Sequence, residues 1–214
     1  MLYRTVKKQQ THPERCRSWF VRNSSLPLLV CLIWTSLLVQ SVYGEQSKVS
    51  EYDLKAVYLY NFLHFVHWPE ENNIQDNLEP KVIAVIGNSQ FGDSLKKLQA
   101  KLQKTGKNNI IINYLGPYRK GMNLSRCHLL FISASEKKNF AEIIAALKNS
   151  PVLTVSDVDG FLTAGGMITL VTRKNKIRWK VNRTKVDLAG LRLSAKLLDI
   201  ALMVVEIPEH AVSD

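Results

Sequence analysis

Three stretches of this chain bring together residue types that chemistry uses. The first is Gly87-Asn-Ser-Gln-Phe-Gly-Asp-Ser94, close to the phosphate-cradling pattern G-x-x-x-x-G-K-[ST]. Asp93 stands in the lysine position, where a carboxylate repels the phosphates that the lysine would hold. The segment reads instead as a strand-to-helix turn with Asp93 or Ser89 near the N-cap. What remains is the general anion attraction of a helix start. The second is His64 and His67, spaced i, i+3 in a helical pattern with Glu70 and Glu71 beyond Pro69. That is half of a metal site; zinc needs at least three convergent, supported ligands. No other His or Cys cluster lies nearby, so no metal is expected. The third is Cys127-His128. A nucleophile needs a base in reach, and adjacent residues on a strand point to opposite faces. Cys127 therefore reads as a buried apolar thiol. There is no Gly-x-Ser-x-Gly elbow and no carboxylate pair on a shared face. The residues argue against an enzyme and imply no cofactor.

The clearest electrostatic feature is basic. Arg173, Lys174, Lys176, Arg178, Lys180, Arg183 and Lys185 fall in 13 residues without an acid. On a strand, Ile177, Trp179 and Val181 face one way and Arg178 and Lys180 the other. One reading is an edge strand guarded by charge against sheet-to-sheet association. The other is a surface for an anionic partner. A second candidate surface is the aromatic helix carrying Tyr58, Phe62 and Phe65. An alternative reading is a small-ligand pocket near Asp157, Gly160, Phe161, Gly165 and Gly166. Glycines there either let backbone approach a ligand or only form turns.

The elements that must position these residues alternate. Residues 51–67 predict a helix, apolar nearly all round and stopped by Trp68-Pro69. Lys81–Ile86 is a continuous apolar run bounded by Gly87, the pattern of a strand buried on both faces. Asp93–Gln103 reads as an amphipathic helix. Asn109–Leu115, Cys127–Ser133 and Pro151–Val155 read as strands. Ser135 is expected to cap a helix with Phe140, Ile143, Ile144 and Leu147 on one face. Met167–Val171 and Lys176–Val181 flank a Lys174-Asn175 turn as a hairpin. Asn182 is expected to cap a final helix reaching about Val205, with Gly190 inside it as a point of close packing. The predicted fold is mixed α/β: a largely parallel sheet with helices on both faces and an antiparallel C-terminal hairpin.

With 214 residues, 46% hydrophobic and 22% charged, the chain is neither disordered, fibrous nor a disulfide-dense miniprotein. The net charge is +11, but it is unevenly held. Residues 1–44 carry six bases and one acid, followed within that segment by the 14-residue apolar run Leu26–Val39. That is short of the roughly 20 residues a membrane span needs and fits an export signal. Cleavage is expected after Val42-Tyr43-Gly44, leaving residues 45–214 as a single domain. Cys127 is the lone cysteine there, so this domain is held by its core rather than by a bridge.

Several segments resemble, in order, the YfiR family of bacterial periplasmic proteins. They are Glu51 to Pro69; Ile86-Gly87 with Phe91-Gly92; Cys127-His-Leu-Leu-Phe-Ile-Ser133; Leu153-Thr-Val-Ser-Asp157; Gly160-Phe161; Gly165-Gly-Met-Ile168; Ile177-Arg-Trp-Lys-Val-Asn182; and Ala189-Gly-Leu-Arg-Leu-Ser-Ala-Lys-Leu-Leu198. The resemblance covers about residues 51–204. It implies a periplasmic regulator of cyclic-di-GMP signalling that binds and represses the sensor domain of an inner-membrane diguanylate cyclase. An outer-membrane lipoprotein would relieve that repression. The archetype carries disulfides, which Cys127 alone cannot reproduce. The function expected is a dimeric, non-enzymatic regulator with no nucleic-acid partner.

Overall fold

The computed structural model describes residues 50–69, 79–88, 91–106 and 109–206. The expected export segment, Glu70 and Glu71, and Ser89 lie outside these. These described residues belong to one compact unit.

The first helix, α1 (Glu51–Phe65), opens with a capping box: Asp53 N–H donates to Ser50 Oγ at 3.0 Å, and Ser50 N–H donates to Asp53 Oδ2 at 3.4 Å. Two orphan amides are thereby satisfied reciprocally. The helix ends two residues before its apolar pattern does. Val66–His67 leaves as a short strand, β1, pairing antiparallel with β8 (Arg192–Leu193). The cause is local: Pro69 disfavours helical backbone at Trp68, and β-branched Val66 suits extended backbone. His64 and His67 therefore sit on different elements rather than on one helix face.

Strands β2 (Lys81–Ile86), β3 (Ile110–Gly116), β4 (Leu129–Ile132), β5 (Leu153–Ser156), β6 (Ile168–Arg173), β7 (Lys176–Asn182) and β9 (Met203–Val205) form a sheet in the order β3-β2-β4-β5-β6-β7-β9. Every neighbouring pair is parallel except the β6–β7 hairpin. Alternation divides the core. Ile83, Val85, Leu129, Phe131, Leu153 and Val155 face α1 and α2 (Phe91–Lys104). Ala84, Ile86, Leu130 and Ile132 face α3 (Phe140–Ala146) and Phe161. The sheet is thus covered on both sides, which is why β2 from Val82 and β4 read as unbroken apolar runs.

Two helical expectations are corrected. The residues after β4 form a 3₁₀ turn (Ala134–Asn139) before α3, with Ser133 rather than Ser135 at the N-cap position. The single C-terminal helix does not exist. Asn182 Oδ1 does accept from Lys185 N–H at 3.2 Å, but α4 (Arg183–Leu188) stops at once. Gly190 takes φ +72°, a conformation glycine adopts without a Cβ penalty. The chain then makes β8, α5 (Ala195–Asp199) and β9. Helical spacing of Leu191, Ala195, Leu198 and Leu202 mimicked a stripe that pairing with β1 and β7 overrides.

Candidate functional site

The hairpin turn is as expected: Lys174 and Asn175 both have positive φ, +50° and +58°, the two-residue turn that matches strand twist. Trp179 points inward. Its ring meets Phe62 and Tyr58 of α1, each at 5.4 Å between centroids, and its Nε1–H donates to the Leu197 carbonyl at 3.1 Å. That inward anchor fixes which face Arg178 and Lys180 occupy. Arg173, Lys174 and Lys176 are exposed, and Arg178 and Lys180 half-buried on the opposite face. Among the described residues none of these five has an ion-pair partner; the pairs present involve Lys55, Lys96 and Arg183.

The hairpin is not the sheet edge. Lys180–Asn182 pair in parallel with Met203–Val205, so β9 is the terminal strand. Ile200, Leu202, Met203 and Val204 are 56%, 39%, 49% and 42% exposed. Lys180, without an ion-pair partner among the described residues, is thus in register with Met203 of an exposed aliphatic strip that runs into the short strand β9. The helical reading of residues 183–205 concealed this strip, because it placed Leu202 on a packed face.

The aromatic helix surface needs correction. Phe62 is 1% exposed and belongs to the core, and Tyr58 and Phe65 are half-buried against it. The outward apolar residues of α1 are Leu54 and Val57, both 42% exposed.

Of the glycine-rich alternative, Gly160, Phe161, Gly165 and Gly166 share one hydrogen-bonded loop, with Gly166 N–H donating to the Phe161 carbonyl at 2.9 Å, and Gly165 also lines the cavity beside α3 and α4. The Phe161 ring fills the space a Cβ on Gly166 would take, and is itself fully buried. Gly160 and Gly165 serve turns at φ +86° and +96°. Asp157 instead faces Lys55, whose Nζ donates to its Oδ2 at 2.8 Å and pairs with Glu51 Oε1 at 2.7 Å. Thr172 Oγ1 donates to Glu51 Oε1 at 2.7 Å, which ties α1 to the hairpin's first strand. Burial pushes the Lys55 ammonium down, but hydrogen bonding and charge from Asp157 and Glu51 outweigh it and hold it above its ordinary value. The bond from Lys55, then that from Thr172, lowers Glu51. Lys55 was a missed residue with a visible signal: a lysine amid Leu54, Ala56 and Val57 on a largely apolar helix.

The loop after β2 lies where strand order reverses, between β2 and β4, the crevice that α/β folds commonly use for ligands. Here the protein's own side chains fill it. A Cβ on Gly87 would collide with Ser133 Oγ, Ser135 Oγ and Glu136 Cγ. Ser135 Oγ accepts from Asn88 N–H at 2.9 Å, and Asn139 Nδ2 donates to Glu136 Oε2 at 2.7 Å. Cys127 is 9% exposed, its Sγ donates to the Leu124 carbonyl at 3.3 Å, and burial pushes its thiol up to about 12. His128 Nδ1 turns away to accept from Val82 N–H at 3.1 Å. His64 Nδ1 donates to the Tyr60 carbonyl at 3.0 Å, and no group of three potential metal ligands occurs among the described residues.

Fold and surface together define a three-layer α/β domain whose basic strand β7 lies next to a terminal strand of exposed aliphatic side chains. The chain belongs to the YfiR/HmsC-like family, whose model matches residues 52–202. That family acts from the periplasm as a regulatory class in cyclic-di-GMP signalling. No helix among the described residues is long and apolar enough to cross a membrane. No curated protein matches the chain. Among solved structures, it is similar to a conserved domain protein from Vibrio cholerae O1 biovar El Tor. Identity is 11% and the TM-score 0.47, over 73% of this chain and 60% of the other. A Streptococcus pneumoniae "ABC domain in complex with L-Trp" follows at 10% identity and TM-score 0.42, over 58% and 55%. The chain thus spans about 60% or less of the length of these two structures.

Proposed function

We propose that this chain is exported, loses residues 1–44, and acts without catalysis as a periplasmic regulator. It binds the sensor domain of an inner-membrane diguanylate cyclase and holds the cyclase inactive; sequestration by an outer-membrane lipoprotein would lift that repression. Such control requires only different affinities for two states of the partner. The observation that carries this reading is the hairpin. Five cations without an ion-pair partner among the described residues, of which Lys180 is in register with Met203 of the exposed strip Ile200, Leu202, Met203 and Val204, supply both steering charge and apolar area. Family membership supports the signalling context.

The test is titration calorimetry between the domain from residue 45 and the cyclase sensor domain, with the variant Arg178→Glu/Lys180→Glu alongside. Saturable binding by the native protein, weakened tenfold or more in the folded variant, is expected. Equal binding by both would remove the hairpin from the interface, and no binding by either would remove the cyclase as partner.

A further inference from the structure

A cavity of about 300 Å³ opens between α3 and α4, separate from the hairpin and from the Lys55 cluster. Its walls are aliphatic: Ile144, Leu147, Met167 and Leu188, with Ala141 and Ala189. No aromatic ring and no acidic side chain lines it. Lys148 and Lys185 supply its charge, and among the described residues neither has an ion-pair partner. The Thr154 hydroxyl on its wall is already engaged, accepting from Met167 N–H at 3.1 Å. Small-molecule sites begin at about this volume and combine apolar walls with a few polar groups that fix orientation.

From this lining we infer that the groove binds a small aliphatic carboxylate, with its chain against the α3–α4 walls and its head group between Lys148 and Lys185. Aliphatic walls without a ring offer no stacking surface, so they favour a saturated chain over an aromatic one. Two uncompensated ammonium groups favour an anion. A cavity at the lower end of the small-molecule range suits a short ligand, of about eight carbons with its carboxylate.

Octanoate is the probe. Titration calorimetry and thermal unfolding of the domain from residue 45 should show saturable binding and a concentration-dependent rise in Tm, with none for octylamine. Ala145 lies on the exposed side of α3 and lines the groove, so Ala145→Phe fills it without disturbing the core and should abolish binding. Lys148→Glu/Lys185→Glu should weaken binding at least tenfold. Native circular dichroism of both variants establishes that they are folded. A lysophospholipid with an eight-carbon chain separates a free acid from a membrane lipid: binding of the lipid in place of octanoate would overturn the carboxylate assignment. Equal binding of octanoate by wild type and folded Ala145→Phe, or equal binding of octylamine, would overturn the site.

Discussion

Lys55 Nζ lies 2.8 Å from Asp157 Oδ2, joining the first helix to the end of β5 across 102 residues of sequence. The lysine is 6% exposed, so its charge depends on that carboxylate and on Glu51. Removing one partner of a buried pair leaves a desolvated charge behind.

Asp157→Asn should therefore cost about 2–4 kcal/mol in urea unfolding, since half-exposed Glu51 remains as a weaker partner. Adding Lys55→Met should recover part of that loss, because the stranded charge goes with it. A double variant as unstable as the sum of its singles would show that the pair is not coupled.

The pH dependence has two limbs. Glu51 is held below its ordinary 4.5, so its contribution is complete above about pH 4.5 and lost as pH falls through its folded pKa. Lys55 is held above 10.5, so its contribution is complete below that value and lost as pH rises through its folded pKa. Glu51→Gln should flatten the acid limb by only about 0.2–1 kcal/mol, because its carboxylate is half exposed. Urea midpoints compared at pH 3, 5 and 7 read this directly.

The aliphatic strip beside the hairpin should matter to binding and little to folding. Met203 is 49% exposed, so Met203→Glu should leave Tm within a few degrees while weakening cyclase sensor-domain binding severalfold. A large fall in Tm would mean the strip is structural.

Two glycines are irreplaceable for different reasons. Gly87 has φ +90° and faces Ser133, Ser135 and Glu136; Gly166 seats the Phe161 ring. Gly87→Ala should cost about 2 kcal/mol or more through strain and collision. Gly166→Ala should cost about 1–3 kcal/mol by displacing a core ring. Thermal unfolding of each variant measures this, with Gly121→Ala as the control for positive φ alone, since a Cβ there meets nothing within 4 Å.

Cys127 should resist thiol reagents in the native protein. Its thiol is buried and pushed up to about 12, so the reactive thiolate is scarce at neutral pH. Labelling with iodoacetamide should be slow natively and rapid in urea. Rapid native labelling would contradict the burial.

The local pattern alone determined much of this. A continuous apolar run identified β2 as a strand buried on both faces, because a parallel sheet between helices leaves neither side polar, and β4 and β5 were legible as strands. Lys174-Asn175 located the hairpin turn, and inward Trp179 set the basic face. Other features depended on partners distant in sequence. Pairing with β1 and β7 turned an apparently continuous C-terminal helix into two short strands around α5. The same rearrangement exposed Ile200, Leu202, Met203 and Val204 beside Lys180. Phe62, which reads as surface on an all-round apolar helix, is core because Trp179 arrives over a hundred residues later to cover it. Lys55 acquires its role only when the end of β5 brings Asp157 to it. Periodicity records which residues share a face of one element; what covers that face is decided by contacts formed only when the elements pack.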